Sequence, residues 1–101
     1  MYDVIYLAAV IQSFKDGSTF DLFVQRESKR WRNVQQVALR KLDQMEAAIH
    51  LTDLRVPPGN RLEALCGERV GQYSIRINDQ FRICFAWKED GAHDVEIVDY
   101  H

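Results

Sequence analysis

From residue 71 to residue 87 apolar and polar side chains alternate with a period of two. Tyr73, Ile75 and Ile77 fall on one side, Ser74 and Arg76 on the other. After Asn78-Asp79-Gln80 the alternation resumes, with Phe81, Ile83, Phe85 and Trp87 against Arg82, Cys84 and Ala86. β-Branched and aromatic residues at that period, on both sides of an Asn-Asp turn, predict two antiparallel strands. A lone hairpin is marginal in water, so its apolar face requires a covering layer. The other face lifts Arg76 and Arg82 off the sheet, beside Ser74 and Cys84, and is expected to stay open to solvent.

Upstream the period changes. Val34, Val37, Ala38, Leu42, Met45, Ala48 and Ile49 recur at helical spacing and form a core stripe. Gln35, Arg40, Lys41, Asp43, Gln44 and Glu46 fill the outer face of that helix. Asn33 opens it, with Gln36 three residues on as an amide variant of the capping box. His50 stands at its end, where a cation suits the helix dipole. Earlier, Asp16-Gly17-Ser18 is a turn, and Ser18 or Thr19 caps a shorter helix carrying Phe20, Phe23 and Val24. Residues 10–14 read as a first strand, with Val4 as its earliest start. Beyond the long helix, residues 51–54 add one turn before Pro57-Pro58-Gly59-Asn60 stops it. Residues 61–66 form a short strand and 67–71 a glycine-bounded turn. Residues 88–93 are a turn centred on Gly91, and 94–100 a last strand with Val95 and Ile97 on one face and Glu96 and Val98 on the other. One strand, two helices and then about four strands predict a single α+β domain over residues 1–101. Its helices pack on one face of a small, mostly antiparallel sheet.

A chain of 101 residues with 47% apolar positions is enough for one modest core. The net charge of -2 argues against generic, non-specific nucleic-acid binding, but its distribution is uneven. Residues 55–82 hold five arginines against Glu63, Glu68 and Asp79, a local balance of +2. Residues 89–99 hold five acids and no lysine or arginine. A locally basic sheet with an acidic closing strand suits selective engagement of a phosphate. Arg26, Lys29, Arg30 and Arg32 form either a solvated loop or a basic patch for RNA phosphates or an acidic partner. Cys66 and Cys84 are too few and too far apart for a zinc knuckle or a CxxC motif, and read as reduced packing thiols of a cytoplasmic protein. No segment approaches the ~20 apolar residues of a membrane span. The first eleven residues carry Asp3 and lack the basic leading region of a signal peptide. The glycine turn lacks the lysine, length and following helix of a P-loop. No Ser-His-Asp or metal-ligand spacing appears, so neither a metal nor a cofactor is expected.

The remaining polar set is Arg69, Arg76, Arg82, Asp99, Tyr100 and His101, with Glu63 and Gln80 near them. RNA cleavage needs the 2′-hydroxyl deprotonated, the departing 5′-oxygen protonated and the crowded phosphorus stabilised by cations. The planar fork of arginine matches phosphate oxygens bidentately. Histidine or a tuned carboxylate suits the proton transfers, and an aromatic ring can stack on a base.

Three stretches, PPGNRLEAL, GERVGQYSIRINDQFRICF and VEIVDYH, resemble the HigB branch of the RelE/ParE toxin superfamily, and its GraT-like subgroup in particular. The resemblance runs from about Val10 to His101. Its most specific parts are the run from Gly67 to Arg82 and the terminal Asp99-Tyr100-His101. It implies a compact RelE fold and ribosome-dependent cleavage of mRNA in the decoding site. It also implies neutralisation by a HigA-like antitoxin with a helix-turn-helix domain, so that DNA is met only through that partner. On the matching positions Arg82 and Arg69 would hold the scissile phosphate, His101 would transfer a proton, Tyr100 would stack on or position a base, and Asp99 would orient His101. Arg61, Arg76, Gln80 and Glu63 join them as expected RNA contacts. Two positions depart: Glu63 stands where many relatives have histidine, and Cys66 where many have lysine. Residues 1–9 precede the family's usual beginning and read as an N-terminal extension or a misassigned start. Two alternatives stay open: a ParE-like gyrase poison on the same fold, and a non-catalytic module that binds only the antitoxin.

Overall fold

In the computed structural model the described residues are 2–3 and 10–100. The stretch 4–9, where the first strand was expected to start at the earliest, and His101 lie outside them. A six-stranded sheet has the order β1-β2-β6-β5-β4-β3. Its members are β1 (Tyr2–Asp3), β2 (Ser13–Phe14), β3 (Glu63–Ala64), β4 (Gln72–Arg76), β5 (Phe81–Lys88) and β6 (Gly91–Asp99). All pairs are antiparallel except β2 with β6, where Phe14 lies opposite Val95. The expected α+β class and the hairpin at residues 71–87 are both present.

The apolar row Ile75–Ile83–Ile97 crosses three strands on one face and is closed off from solvent by the helices. Helix α1 (Gly17–Gln25) starts from Asp16 rather than from a Ser18 or Thr19 cap. Ser18 donates its hydroxyl to Asp16 (2.6 Å), while Thr19 is fully buried and its Oγ1 accepts the Ile97 N–H (3.1 Å). The threonine thus ties helix to sheet. Helix α2 (Gln35–Ala47) begins after Val34, two residues beyond Asn33, and no side-chain cap forms there. A preceding turn, with the Val34 N–H on the Trp31 carbonyl, takes over the start. Ala38, Leu42 and Met45 are fully buried as expected. Burying a side chain of the size of leucine or methionine contributes roughly 1.5–3 kcal/mol. Ile49 is not in the stripe: the helix ends at Ala47, Ala48 turns to extended backbone, and Ile49 is exposed. Lys41 departs in the other direction. It was expected outside and is 7% exposed, its amine reaching the fully buried Asn60 (2.6 Å).

His50 is also reassigned. It precedes the 3-10 turn Leu51–Arg55, and the N–H groups of Ile49 and His50 both bond the Asp53 carboxylate (2.9 Å each). Those two bonds hold the Asp53 carboxyl below the ordinary aspartate range. The last two strands meet at Glu89-Asp90, because Gly91 already pairs with Lys88. Gly91 has φ +124°, and a Cβ there would run into the Val10 carbonyl. In β6 an extra residue separates His93 from Glu96 relative to the partner strand. Asp94 takes up that bulge at φ 55°, its N–H bonded to the Ser13 hydroxyl. The bulge lets Ala92 and Val95 share the buried face although they are three positions apart, a spacing that puts residues of a regular strand on opposite faces.

Candidate active site

Antiparallel pairing of β5 with β6 sets the start of one strand beside the end of the other. Phe81 lies opposite Asp99 and Arg82 opposite Val98, and the Tyr100 N–H bonds the Gln80 carbonyl (2.7 Å). Arg82 and Tyr100 are therefore brought together by strand register alone. The Arg82 guanidinium lies 5.8 Å from the centre of the Tyr100 ring, a cation–π distance. From the other side β4 presents Ser74, whose hydroxyl accepts the Arg82 Nε–H (2.7 Å). Nη2 donates to the Arg61 carbonyl (2.7 Å) and lies 3.4 Å from the Glu63 carboxylate. Nη1 has no hydrogen-bond partner among the described residues.

This face was expected to be open, and it is not. Ser74 and Cys84 are fully buried and Arg82 is 9% exposed. The chain between α2 and β3 returns across the edge of the sheet and supplies the Arg61 carbonyl, a non-local contact that no periodicity reveals. Tyr100 and Glu63 remain substantially exposed, at 44% for the tyrosine and 52% for the glutamate side chain. A nearly buried arginine thus lies between an exposed ring and an exposed carboxylate.

The other predicted residues are distributed around this centre. Arg69 lies on the same face, but its guanidinium is held by Gln72 (3.0 Å) and Glu96 (2.9 Å). Glu96 also meets Lys15 (3.5 Å). The bond to Glu96 raises the Arg69 pKa further, with smaller contributions from Cys84 and Tyr100. Burial pushes the Cys84 thiol up; Cys66 is exposed and so is not the packing thiol expected. Gln80 donates to Asp99 (3.1 Å), tying the hairpin turn to the last strand. Arg76 pairs with Asp79 of its own turn. Arg61 contributes its carbonyl, while its side chain is exposed. His101, the expected proton donor, lies outside the described residues. Sequence reasoning missed Glu96 and Lys15 as partners around Arg69, and the pairing of Lys41 with Asn60. The alternation that put Ser74 beside Arg82 was the one legible clue to the support of the site.

Residues 12–101 match the family model described as the RelE-like toxin of type II toxin-antitoxin system HigB. The chain belongs to the HigB-like toxin family. Toxin HigB-1 of Vibrio cholerae serotype O1 is 46% identical over 60 residues, which are 59% of this chain and 63% of that protein. The match thus spans less than two thirds of the relative's length. An uncharacterized protein of Haemophilus influenzae is 37% identical over 68 residues, 67% of each chain. The fold is similar to that of the YoeB-YefM complex from Staphylococcus aureus, with a TM-score of 0.58 and 16% identity over 90% of this chain and 97% of that one. As a HigB-like toxin the chain falls in the RelE superfamily, as its motifs indicated. The match begins at Gln12, two residues from the beginning inferred at Val10. Among the described residues no group of three or more His, Cys, Asp and Glu side chains could hold a metal. No helix among them is long and apolar enough to cross a membrane.

Proposed function

We propose that this HigB-like toxin cleaves mRNA on the ribosome, with Arg82 as the principal contact to the scissile phosphate. The observation that carries the reading is the Arg82 guanidinium. It is fixed through Nε and Nη2, has Nη1 without a partner among the described residues, and lies beneath an exposed tyrosine ring. A group held this way is organised before substrate arrives, so little reorganisation opposes charge stabilisation in the transition state. The 2′-oxygen attacks phosphorus and the bond to the 5′-oxygen breaks, leaving a 2′,3′-cyclic phosphate and a 5′-hydroxyl. Glu63, an exposed carboxylate 3.4 Å from Arg82, suits removal of the 2′-proton. His101, the residue after Tyr100, is assigned the proton for the departing oxygen. Tyr100 stacks on a base, and Asp99 with Gln80 holds the end of β6 in place. Arg69, ion-paired with Glu96 and bonded to Gln72, is assigned a supporting positive potential rather than a direct phosphate bond. No cofactor takes part in this scheme.

The net charge of -2 gives weak attraction to free RNA, so the ribosome supplies positioning. Action in the cytoplasm follows from that target. A HigA-like antitoxin is the inferred neutralising partner; the structural neighbour named above is itself a complex with YefM. The test is primer extension on programmed ribosomes and on the same mRNA without ribosomes. Cleavage only of ribosome-bound mRNA is expected. Equal cleavage of both would make the protein a free ribonuclease. No cleavage, with trapped gyrase–DNA complexes instead, would replace the reading with a ParE-like one. Antitoxin binding without either activity would leave a non-catalytic module.

A further inference from the structure

We propose that the Pro57–Arg61 turn is a positioning device for Arg82, anchored by Asn60. Asn60 is fully buried. Its amide nitrogen donates to the Leu54 carbonyl (3.1 Å) and the Gln44 side chain (3.0 Å), and its Oδ1 accepts from Lys41 (2.6 Å). Gln44 in turn bonds the Val56 carbonyl. Four groups from α2 and the following turn thus converge to fix one point of the loop. The next residue, Arg61, is forced into the left-handed region at φ 46° and ψ 55°, a conformation that costs a non-glycine residue free energy and persists only where surroundings impose it. Its outcome is the direction of one carbonyl, which accepts from Arg82 Nη2 at 2.7 Å. Without that acceptor Nη2 would keep only the 3.4 Å contacts to the Ser74 carbonyl and to Glu63. The guanidinium would then rotate about its Nε bond to Ser74.

The anchor explains two otherwise unaccounted features. An asparagine with no exposure and a lysine 7% exposed are costly to bury, and each has the other as partner. The PPGN run stops the 3-10 turn at a fixed distance from the sheet edge, with Pro57 and Asn60 closing a tight turn (2.9 Å). A helix on one layer therefore sets an arginine on the opposite face of the sheet.

The kinetic consequence rests on the function proposed above, whereas the geometric one does not, and the two are read separately. The Arg82 Nε–H resonance in ¹⁵N spectra, assigned by its loss in Arg82→Lys, reports the guanidinium directly. Asn60→Ala should shift and broaden it and speed its exchange with water, and Lys41→Met should do so to a smaller extent. On programmed ribosomes Asn60→Ala should lower kcat on the order of 10²-fold with KM nearly unchanged, the size expected of a misplacement near 1 Å. In an Arg82→Ala background the same change should add less than about twofold, because the residue it acts through is gone. If Asn60→Ala does not fold, Lys41→Met decides, since it keeps the buried stem and removes only the amine. An unshifted Arg82 resonance in a folded variant, or full additivity with Arg82→Ala, would overturn the proposal. A shifted resonance in a protein that never cleaves ribosome-bound mRNA would sink the function and leave the positioning intact.

Discussion

At the scale of the residue, position in the pleat decides little until neighbours are counted. Arg76 and Arg82 are equivalent in the alternation, two arginines on one face opposite each other. Arg76 ends in an ion pair with the exposed Asp79, whereas Arg82 is enclosed by Ser74, Arg61 and Tyr100. Arg82→Ala should therefore reduce cleavage of programmed ribosomes on the order of 10²–10³-fold. Arg82→Lys should recover little of it, since an ammonium cannot reproduce the fork that bonds Ser74 and Arg61 and, in the proposed function, would also meet the phosphate. Arg76→Ala should matter far less, and equal losses in the two variants would reject the distinction. Lys41 carries a second prediction. Burial, with Arg40, Arg76 and Arg82 nearby, lowers its pKa below 10.5. The unfolded chain then holds more protons than the folded one between the lowered value and 10.5, so stability contributed by this group rises with pH across that window. Melting of wild type and Lys41→Met from neutral to alkaline pH should show the wild type gaining on the variant. A constant difference would mean that the amine titrates alike in both states.

At the scale of the element, what was legible was what a short window contains. The two faces of β4 and β5 follow from alternation, and the α2 stripe from helical spacing. The exceptions have non-local causes. Lys41 reads as an outer residue because nothing in its window announces Asn60, nineteen residues on. Asn33 looks like a better cap than Val34, but the Trp31 turn supersedes it. The parallel contact of β2 with β6 joins residues 14 and 95, beyond any pattern. The bulge is a single residue, Asp94, and the alternation of β6 is correct only beyond it. Its left-handed backbone suits glycine and aspartate and opposes β-branching, so Asp94→Val should cost roughly 1–2 kcal/mol while Asp94→Gly costs much less. The β5–β6 turn gives a sharper case. Gly91→Ala would combine φ +124° with a collision at the Val10 carbonyl. A loss of roughly 1–3 kcal/mol or more is expected, which for a domain of this size lowers Tm by several degrees. An unchanged Tm in Gly91→Ala would show that the strand and the Val10 segment can move apart freely.

At the scale of the whole molecule, segregation of helices from strands made the layered α+β architecture readable, and the layering separates two basic regions. One is the Arg82 centre on the outer face of the sheet. The other follows α1, where Lys29 and Arg32 border a shallow cleft of about 320 Å³ together with Gln25, Glu27, Ser28 and Gln35. The expected patch there is narrower than its sequence implied. Arg26 is paired with Asp43 (2.6 Å). The cations left to meet an acidic antitoxin surface are thus Lys29, Arg30 and Arg32, all exposed. Charges at the rim of an interface act mainly on encounter, and only weakly on the lifetime of the complex. Lys29→Glu with Arg32→Glu should slow association with the antitoxin by about tenfold at low salt. The difference from wild type should shrink as ionic strength rises, because exposed charges beyond about 10 Å are screened at 0.1 M. The dissociation rate should stay close to wild type. Stopped-flow mixing over a salt series measures both rates. An association rate that ignores both salt and charge reversal would place this patch outside the antitoxin interface.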